Sequence, residues 1–301
     1  MFEWERGTAL TQQDFDIEHK KMYLTEFLYE GSITLFFSKA KQGKTWLAYG
    51  LANFLGYRVD VKKVYYVDGD NPIAVLKDRK IDELLMFHEK LDYISRGSMR
   101  ATPMDLVKDM QKEAKRGAYD KCVFIFDTTK DFIDTDSSSQ AREFMRAMID
   151  IRDAGATVII LHHATKSGST ISGDKEFTTS PDVVYELKQK AKTDNTIHFT
   201  LGVVNDRYVV KDCGFSLDTT TLMLTELDSV FASMSEYDEK FVNKGIEALK
   251  KNPDGLNKSS LLAAIGYKKD DKTAQDTLTR YADIFWEVDK QNTRVHIYKL
   301  K

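Results

Sequence analysis

One stretch of the chain, FFSKAKQGKTWLA (36–48), constrains the fold more than any other. It places Gly43, Lys44 and Thr45 after the apolar run SITLFF, which predicts a buried strand, and at the start of an apolar run that predicts a helix. A Gly-Lys-Thr triplet in that setting is typical of a loop whose backbone N–H groups bind phosphate. The usual pattern has a glycine where this chain has Ser38, a small residue that is compatible with such a turn.

Apolar runs and amphipathic stretches alternate beyond this loop. Strands are predicted at 63–69, 122–127 and 156–163, and helices at 103–117 and 139–155. The runs DVVYELKQ, TIHFTLGVV and RYVVKDCGFSLD predict further strands. Short apolar strands joined by helices indicate an α/β protein with a central, mostly parallel sheet.

Charge and composition divide the chain. Of its 301 residues, those from 240 to 301 carry 13 Lys+Arg against 8 Asp+Glu, whereas the whole chain has a net charge of −3. This basic tail contains three predicted short helices and a hairpin, a pattern that predicts a winged-helix-like domain. We therefore predict an α/β domain at 1–225, a linker at 226–237 and the small domain at 238–301.

Cysteine usage and hydropathy exclude some classes of protein. Cys122 and Cys213 are too few for a disulfide framework, and because Cys122 opens an apolar run, a buried reduced thiol in a cytoplasmic protein is expected there. The first residues, MFEWERGTAL, lack the pattern of a signal peptide, and no apolar run approaches the 18 residues of a membrane span.

Acidic residues and histidines end the predicted strands. Asp127 ends CVFIFD, where a carboxylate can hold Mg²⁺ while Thr45 coordinates the ion directly. Asp68 and Asp70 end the second strand, and either carboxylate can orient an attacking water, although aspartates also cap turns. Two adjacent histidines end the strand VIILHH, and a histidine pair at the carboxyl edge of a parallel sheet is expected to act as a sensor of a terminal phosphate.

The order of these motifs resembles the RecA-like ATPases, in particular the RepA-type plasmid replicative helicases and their phage relatives. The resemblance covers roughly residues 20–212. It depends on SKAKQGKTWLA, YVDGDNP with the following Arg79, FIFDTTKDF, VIILHHATKSG through PDVVYEL, and VVNDRY.

The resemblance implies ATP and Mg²⁺ as cofactors and assigns roles to individual residues. Arg79 is expected to pack on the adenine, His163 to read the γ-phosphate, and Arg207 to act as an arginine finger in a neighbouring subunit. Metal binding falls to Thr45 and Asp127. The implied catalytic residues are Lys44, Asp70, Asp127, His163 and Arg207. The implied nucleotide-binding residues are Ser38, Lys39, Ala40, Lys41, Gln42, Gly43, Lys44, Thr45, Trp46 and Arg79.

Several positions depart from the family pattern. Asp70 stands where the family has a longer glutamate, which leaves Asp68 as an alternative base. Asn205 stands where many relatives carry a lysine beside the finger. Lys39 lies five residues before Lys44, the spacing of partition-type ATPases, although a phosphate-attracting lysine on an exposed loop also accounts for it.

The leading functional hypothesis is a hexameric, ATP-driven motor on single-stranded DNA, a replicative helicase of a phage or plasmid. The glycine-containing segment 165–180 is predicted to be a mobile loop whose Lys166 and Lys175 line the DNA channel. In the small domain, Lys272, Arg280 and Arg294 are the predicted DNA contacts. That domain can instead dock another replication protein.

A second hypothesis is a DNA-bound ATP switch in recombination, partition or regulation that does not unwind DNA, and a third is a loader or accessory subunit. Removal of residues 238–301 is expected to leave the core fold intact, because the core strands are predicted to end before residue 225.

Overall fold

The computed structural model describes residues 21–24, 26–168, 170–227, 234–289 and 296–301. The strands of this part of the chain are β1 (Met22–Leu24), β2 (Leu28–Tyr29), β3 (Ile33–Ser38), β4 (Lys63–Asp68), β5 (Leu91–Ser95), β6 (Cys122–Asp127), β7 (Thr157–His163), β8 (Val183–Lys192), β9 (Thr196–Asp206), β10 (Cys213–Asp218), β11 (Leu224–Leu227), β12 (Leu256–Asn257), β13 (Trp286–Asp289) and β14 (Ile297–Leu300). Its helices are α1 (Lys44–Tyr57), α2 (Ile73–Asp78), α3 (Ile81–Leu84), α4 (Pro103–Glu113), α5 (Ser138–Asp153), α6 (Glu176–Thr179), α7 (Glu236–Lys250), α8 (Lys258–Ala264) and α9 (Lys272–Arg280).

Nine of these strands form one sheet in the spatial order β11-β10-β9-β8-β3-β7-β6-β4-β5. The six strands from β8 to β5 run parallel to one another. Strands β9, β10 and β11 extend the β8 side as antiparallel neighbours. Because parallel strands need crossover connections, the helices between them lie against the faces of the sheet. The predicted α/β class with a central, mostly parallel sheet is confirmed.

Apolar side chains cover both faces of this sheet. On one face α1 buries Leu47 and Leu51, and on the other α5 buries Phe144 and Met148. Burial of each such side chain stabilises the fold by about 1.5–3 kcal/mol. Strands packed on both faces have no polar side, which is why β3, β6 and β7 appear in the sequence as continuous apolar runs.

The pairing register aligns the carboxyl ends of the central strands. Ser38, at the end of β3, pairs with His163 at the end of β7. Asp68, at the end of β4, pairs with Asp127 at the end of β6. Ligands of open parallel sheets bind outside the carboxyl ends of the strands. One edge of the sheet therefore gathers the motif residues that lie far apart in the sequence.

One expectation about the core needs correction, and several elements were not predicted. The expectation that the core strands end before residue 225 is wrong, because β11 pairs with β10 as far as Leu227. The edge strand β5 and the short helices α2 and α3 were not predicted. Segment 165–180 contains α6, and Ile171 within it forms an isolated β-bridge with Ala164. The mobility of this segment stays a prediction.

The C-terminal part contains three helices, α7 to α9, and a small sheet in the order β12-β14-β13. Its core includes Phe241, Leu261, Leu278 and Trp286, whose indole Nε1 donates to the Leu278 carbonyl at 3.0 Å, and it extends to Ala191 of β8. The stretch DKTAQDTLTRYADIFWEV, predicted to be one helix, is helical only from Lys272 to Arg280, and its last residues belong to β13, which begins at Trp286. Strand β12 adds a third member to the predicted hairpin.

Helix α7 attaches this part to the main sheet. The Asn243 side-chain amide donates to the Lys190 carbonyl of β8 at 3.3 Å, and the Lys190 ammonium lies 3.4 Å from Glu239. A third contact joins Lys250 to Asp194 at 2.9 Å. The predicted boundaries of the two domains and of the linker stay predictions.

The two cysteines are free and buried, Cys122 at the start of β6 and Cys213 at the start of β10. Burial raises the pKa of both thiols, which keeps them protonated and unreactive at neutral pH. Among the helices of the described ranges, none combines the length and the apolar character that a membrane crossing requires.

Candidate active site

The loop between β3 and α1 has the geometry of a phosphate cradle. Lys41 and Gly43 both take left-handed backbone conformations, with φ of 64° and 82°. Turns of this kind direct consecutive N–H groups towards one concave side, where they can bind an anion. Helix α1 begins at Lys44, so its positive N-terminal end faces the same side.

Gly43 is required by space as well as by backbone conformation. A Cβ atom at this position would lie 2.6 Å from Cε1 of Phe199, which no real side chain tolerates. The neighbouring Gln42 accepts a hydrogen bond from the backbone N–H of Gln189 at 2.9 Å. Strands β8 and β9 therefore fix the loop from behind, and the glycine of the motif is explained by packing.

The Lys44 side chain is buried and has only neutral partners. Its ammonium donates to the carbonyl and the hydroxyl of Ser38, each at 3.1 Å, and to the Lys39 carbonyl at 3.4 Å. Burial lowers the pKa of Lys44 to about 8, against the opposing attraction of Asp127. The Ser38 hydroxyl thus accepts a hydrogen bond from the buried lysine, which gives the unusual serine of the motif a structural role.

Asp127 is fully buried at the end of β6. One carboxylate oxygen accepts from the Tyr66 hydroxyl at 2.8 Å, while Oδ1 has no hydrogen-bond partner within the described part of the chain. Burial and the nearby Asp68 raise the pKa of Asp127 to about 7, although Tyr66, Thr45 and Lys44 act in the opposite direction. A buried carboxylate oxygen without a donor indicates a position for a cation or a water.

The two aspartates after β4 differ in their surroundings. Asp68 is fully buried and accepts hydrogen bonds from the backbone N–H groups of Asp70 and Asn71, each at 2.9 Å. Asp70 is half exposed, and its carboxylate lies 3.4 Å from the Lys130 ammonium. Asp68 therefore shapes the turn, and Asp70 presents its carboxylate to the space above the sheet edge.

The two adjacent histidines also have different environments. His162 is buried, bonded through Nδ1 to the Thr129 hydroxyl at 2.5 Å and through Nε2 to the Ser172 carbonyl at 2.7 Å. His163 faces the open edge, and its Nε2 has no hydrogen-bond partner among the described residues. Burial and the positive charges of Lys44 and Lys130 lower the pKa of His163 to about 4, so the ring is neutral at pH 7.

A cavity of about 480 Å³ opens at this edge and joins these groups. At one end, the Arg79 guanidinium lies over the Trp46 ring, 5.6 Å from its centroid. The lining residues predicted from the sequence are Ala40, Lys41, Gln42, Gly43, Lys44, Thr45, Trp46, Asp70, Arg79 and His163. The sequence analysis missed six others, namely Asn71, Thr128, Lys130, Gln189, Lys192 and Ile197.

The remaining nucleotide-site predictions fall outside the cavity lining. Ser38 lies behind it and holds Lys44, and Asp127 lies beneath it. Lys39 lines a neighbouring cavity, where the end of its side chain extends across Gly168, a glycine in the left-handed conformation with φ of 82°. Arg207 is half exposed, bonded to the Thr179 carbonyl at 3.0 Å and 3.5 Å from Asp182.

The predicted DNA contacts lie at separate places. Lys166 and Lys175 are exposed on the segment that follows β7, and Lys272 is exposed at the start of α9. Arg280 pairs with Asp238 at 3.3 Å on its own domain. Arg294 lies outside the described residues. These assignments stay predictions.

The residues at the sheet edge fit a divalent ion held mainly by its ligand. The described ranges contain no group of three or more His, Cys, Asp or Glu that could hold a metal by itself. Mg²⁺, however, is commonly bound by one or two protein oxygens together with substrate phosphates and waters. The unpartnered Oδ1 of Asp127 and the hydroxyl of Thr45 match that donor set.

Comparisons with known proteins give a distant likeness. The chain is similar to the crystal structure of the flagellar accessory protein FlaH from Methanocaldococcus jannaschii, with 17% sequence identity and a TM-score of 0.47. The similarity covers 66% of this chain and 91% of that chain. No family model and no curated protein matches the sequence. A likeness at this TM-score says nothing about what the chain does.

Proposed function

We propose that this chain is a RecA-like P-loop ATPase that binds ATP with Mg²⁺ in the cavity at the sheet edge. The observation that carries the proposal is the composition of that one cavity. It brings together the loop from Ala40 to Trp46, the acid Asp70, the neutral His163 and the stacked Arg79. The first of these binds phosphate, and the last offers a flat, cationic surface for a base.

The triphosphate lies at the N-terminal end of α1 in this proposal. Lys44 exchanges its neutral partners on Ser38 and Lys39 for phosphate oxygens, and because those oxygens are charged, the hydrogen bonds become stronger. Thr45 and Asp127 hold Mg²⁺, which neutralises part of the phosphate charge when it is bound. Arg79 and Trp46 hold the base.

Hydrolysis needs a base that can reach water, and Asp70 meets this condition better than Asp68. Asp68 already accepts several hydrogen bonds and is fully buried, whereas Asp70 is half exposed and lines the cavity. His163, with an unpartnered Nε2 in the described structure, supplies a hydrogen bond to the terminal phosphate. When that phosphate leaves, the bond is lost and the segment after β7 can respond.

The test is release of phosphate from ATP by the purified full chain, with and without Mg²⁺. Turnover that requires Mg²⁺ and is lost in Thr45→Ala supports the proposal. Lys269→Ala, a change of one exposed lysine in the C-terminal part, is the matched control and is expected to keep wild-type turnover. Binding of ATP without hydrolysis, at any DNA concentration, would limit the chain to a nucleotide-binding role.

The proposal extends to a hexameric motor on single-stranded DNA, the role of a phage or plasmid replicative helicase. The exposed Lys166 and Lys175 follow β7, the strand that ends with the phosphate-sensing His163, so phosphate release and DNA contact are joined by a short segment. Arg207 lies outside the cavity of its own chain, which is where a finger that serves a neighbouring subunit is expected.

Subunit mixing tests the finger. Arg207→Ala is expected to bind ATP normally and to hydrolyse it slowly. Adding Lys44→Ala protein, which retains Arg207, is expected to restore part of the activity if subunits exchange. Absence of recovery, with exchange confirmed by fluorescence transfer between labelled subunits, would contradict a finger that acts in trans.

The C-terminal part is proposed to be a winged-helix-like domain that binds DNA. Its helices and its sheet order, β12-β14-β13, support the assignment, and its excess of basic residues supports contact with phosphate. Lys272 is the best single test, because it is exposed and Arg280 is already paired with Asp238. Lys272→Ala is expected to weaken duplex binding. The slope of the logarithm of the binding constant against the logarithm of the salt concentration is expected to decrease in magnitude by about one. An unchanged slope would favour docking of a replication protein.

Particle shape and strand separation distinguish the motor from a switch. With single-stranded DNA and a non-hydrolysable ATP analogue, the motor forms six-fold rings, and with ATP it unwinds a forked duplex. A two-fold particle that binds DNA but does not unwind the fork would establish an ATP-dependent switch in its place.

A further inference from the structure

A closed ring of side-chain contacts runs along the wall of the cavity and connects the turn after β4 with the Arg79–Trp46 pair. Asp68 accepts from the Asn71 side-chain amide at 3.0 Å as well as from the backbone of Asp70 and Asn71. The carbonyl oxygen of the same Asn71 side chain accepts from the Arg79 guanidinium at 3.2 Å. Asn71 thus joins the turn that carries Asp70 to the arginine at the base end.

Aromatic residues complete the ring of contacts from the other side. Arg79 lies over Trp46, and Trp46 packs edge-on against Tyr49 with ring centroids 5.9 Å apart. The Tyr49 hydroxyl lies 3.2 Å from that of Tyr93, which in turn donates to Asp68. The groups that face the base and the group that shapes the turn are therefore linked through contacts on both sides.

We propose that Asn71 is a positioning residue that makes hydrolysis depend on occupation of the base end. This inference rests on the proposed ATPase activity and goes beyond it. The Asp70 carboxylate is held only loosely, by a half-exposed pair with Lys130 at 3.4 Å, so its position depends on the backbone of the turn. A base bound against Arg79 and Trp46 orders Arg79, which orders Asn71 and with it the N–H groups that Asp68 holds.

The chemistry of an amide suits this position. Asn71 donates through its NH₂ group to the carboxylate of Asp68 and accepts through its oxygen from the guanidinium of Arg79. An aspartate at position 71 would place two carboxylates together, and an alanine would have neither group. Of the side chains close to asparagine in size, only an amide satisfies both neighbours.

The experiment compares ATP with inorganic tripolyphosphate, which carries the same phosphates and no base. In the wild type, kcat with tripolyphosphate is expected to be about 10-fold below kcat with ATP. In Asn71→Ala, kcat with ATP is expected to fall about 10-fold and to lose more than kcat with tripolyphosphate, so that the ratio of the two kcat values falls towards one. Asn252→Ala, which removes an amide of the C-terminal part that bonds the Ala248 carbonyl of α7, is the matched control and is expected to keep the wild-type ratio.

A double-mutant comparison separates positioning from general damage. Arg79→Ala acts on the same connection from the other end, and it reports on the inference even if Asn71→Ala fails to fold. The double variant is expected to lose no more kcat than the more damaging single variant, because both break one path. Additive losses would overturn the inference. So would an equal loss with ATP and tripolyphosphate in Asn71→Ala.

Failure of the proposed function has a different signature. A wild-type protein that hydrolyses neither substrate would overturn the ATPase assignment and the coupling with it. An active wild type whose ATP and tripolyphosphate rates are equal would overturn the coupling alone.

Discussion

Buried polar groups at the carboxyl edge of the main sheet and in the C-terminal unit differ in how many hydrogen-bond partners they have. At the sheet edge, Asp127 Oδ1 and His163 Nε2 are buried without partners in the described structure, and Lys44 is bound only by neutral oxygens. In the C-terminal unit, buried Asp238 accepts from the N–H and hydroxyl of Ser235 and from Arg280.

This difference separates a ligand site from a stabilising network. An unpartnered buried group costs about 1–3 kcal/mol, and the presence of two of them at one edge supports our proposal that a ligand binds there. In the C-terminal unit the buried charge of Asp238 is satisfied from within the unit, by Ser235 and Arg280, whereas Lys269 and Lys272 are exposed. A basic composition in that unit is therefore weaker support for a DNA site than the polar groups of the edge are for a nucleotide site.

The largest expected effect is that of Lys44→Ala. The variant removes the buried cation of the cradle, and loss of one such charged donor lowers kcat by about 100- to 1,000-fold. ATP binding is expected to weaken as well, because the ground state loses the same contact. Steady-state phosphate release and calorimetric titration with ATP measure the two effects. Turnover within a few-fold of wild type would contradict the proposal that Lys44 binds the phosphates of ATP.

Replacing each aspartate after β4 in turn tests which of the two carboxylates acts in hydrolysis and which one stabilises the fold. Asp70→Asn is expected to bind ATP and keep its melting temperature while kcat falls about 100-fold, since a half-exposed side chain contributes to chemistry and little to the fold. Asp68→Asn is expected to lower the melting temperature, because four hydrogen bonds and a phenol depend on that buried carboxylate. The reverse pattern would assign the base to Asp68.

In the C-terminal unit, Asp238→Ala is expected to lower the free energy of unfolding by about 2 kcal/mol. The variant breaks the capping box of α7 with Ser235 and releases Arg280. Urea denaturation measures the loss, and ATP turnover is expected to stay at the wild-type level. The exposed Asp276→Ala is the control. Equal stability of the two variants would show that the hydrogen bonds of Asp238 contribute nothing.

Acid is expected to destabilise the fold through buried histidines. Burial lowers the pKa of His162 and His198 to about 4, below the value near 6.5 of an unfolded chain. Unfolding then takes up protons between these values, so stability decreases as pH falls from about 6.5 towards 4. From pH 7 to pH 5 each histidine contributes a loss of about 1–2 kcal/mol. His198→Phe is expected to flatten this dependence, whereas exposed His296→Gln leaves it unchanged.

Strands buried on both faces and the phosphate loop were predictable, because both leave local patterns. The runs that became β3, β6 and β7 are apolar throughout, and the Gly-Lys-Thr triplet sits at the start of α1. The edge strand β5 was missed because it packs on one neighbour only and carries polar residues. Its Tyr93 matters nonetheless, since it donates to Asp68.

The cavity residues that escaped the sequence analysis reach the site through non-local pairing. Gln189, Lys192 and Ile197 come from β8 and β9, which cross the sheet edge more than 140 residues after the loop they face. Their sequence has the alternation of ordinary strands and no motif. Asn71 and Lys130 lay within recognised motifs, but only the structure shows that Asn71 bonds Arg79 and that Lys130 pairs with Asp70.

The buried lysine of the cradle has a thermodynamic consequence for occupancy. With a pKa of about 8, the Lys44 ammonium loses its proton as the solution becomes mildly alkaline, as long as no phosphate is bound beside it. Negative phosphates raise that pKa, so above pH 8 a nucleotide that binds is accompanied by proton uptake. Calorimetric titrations at pH 8.5 in two buffers of different ionisation enthalpy are expected to give different apparent heats, and affinity is expected to decline with rising pH. The affinity of the loop for phosphate is then expected to depend on the protonation of Lys44, and so on pH in the alkaline range.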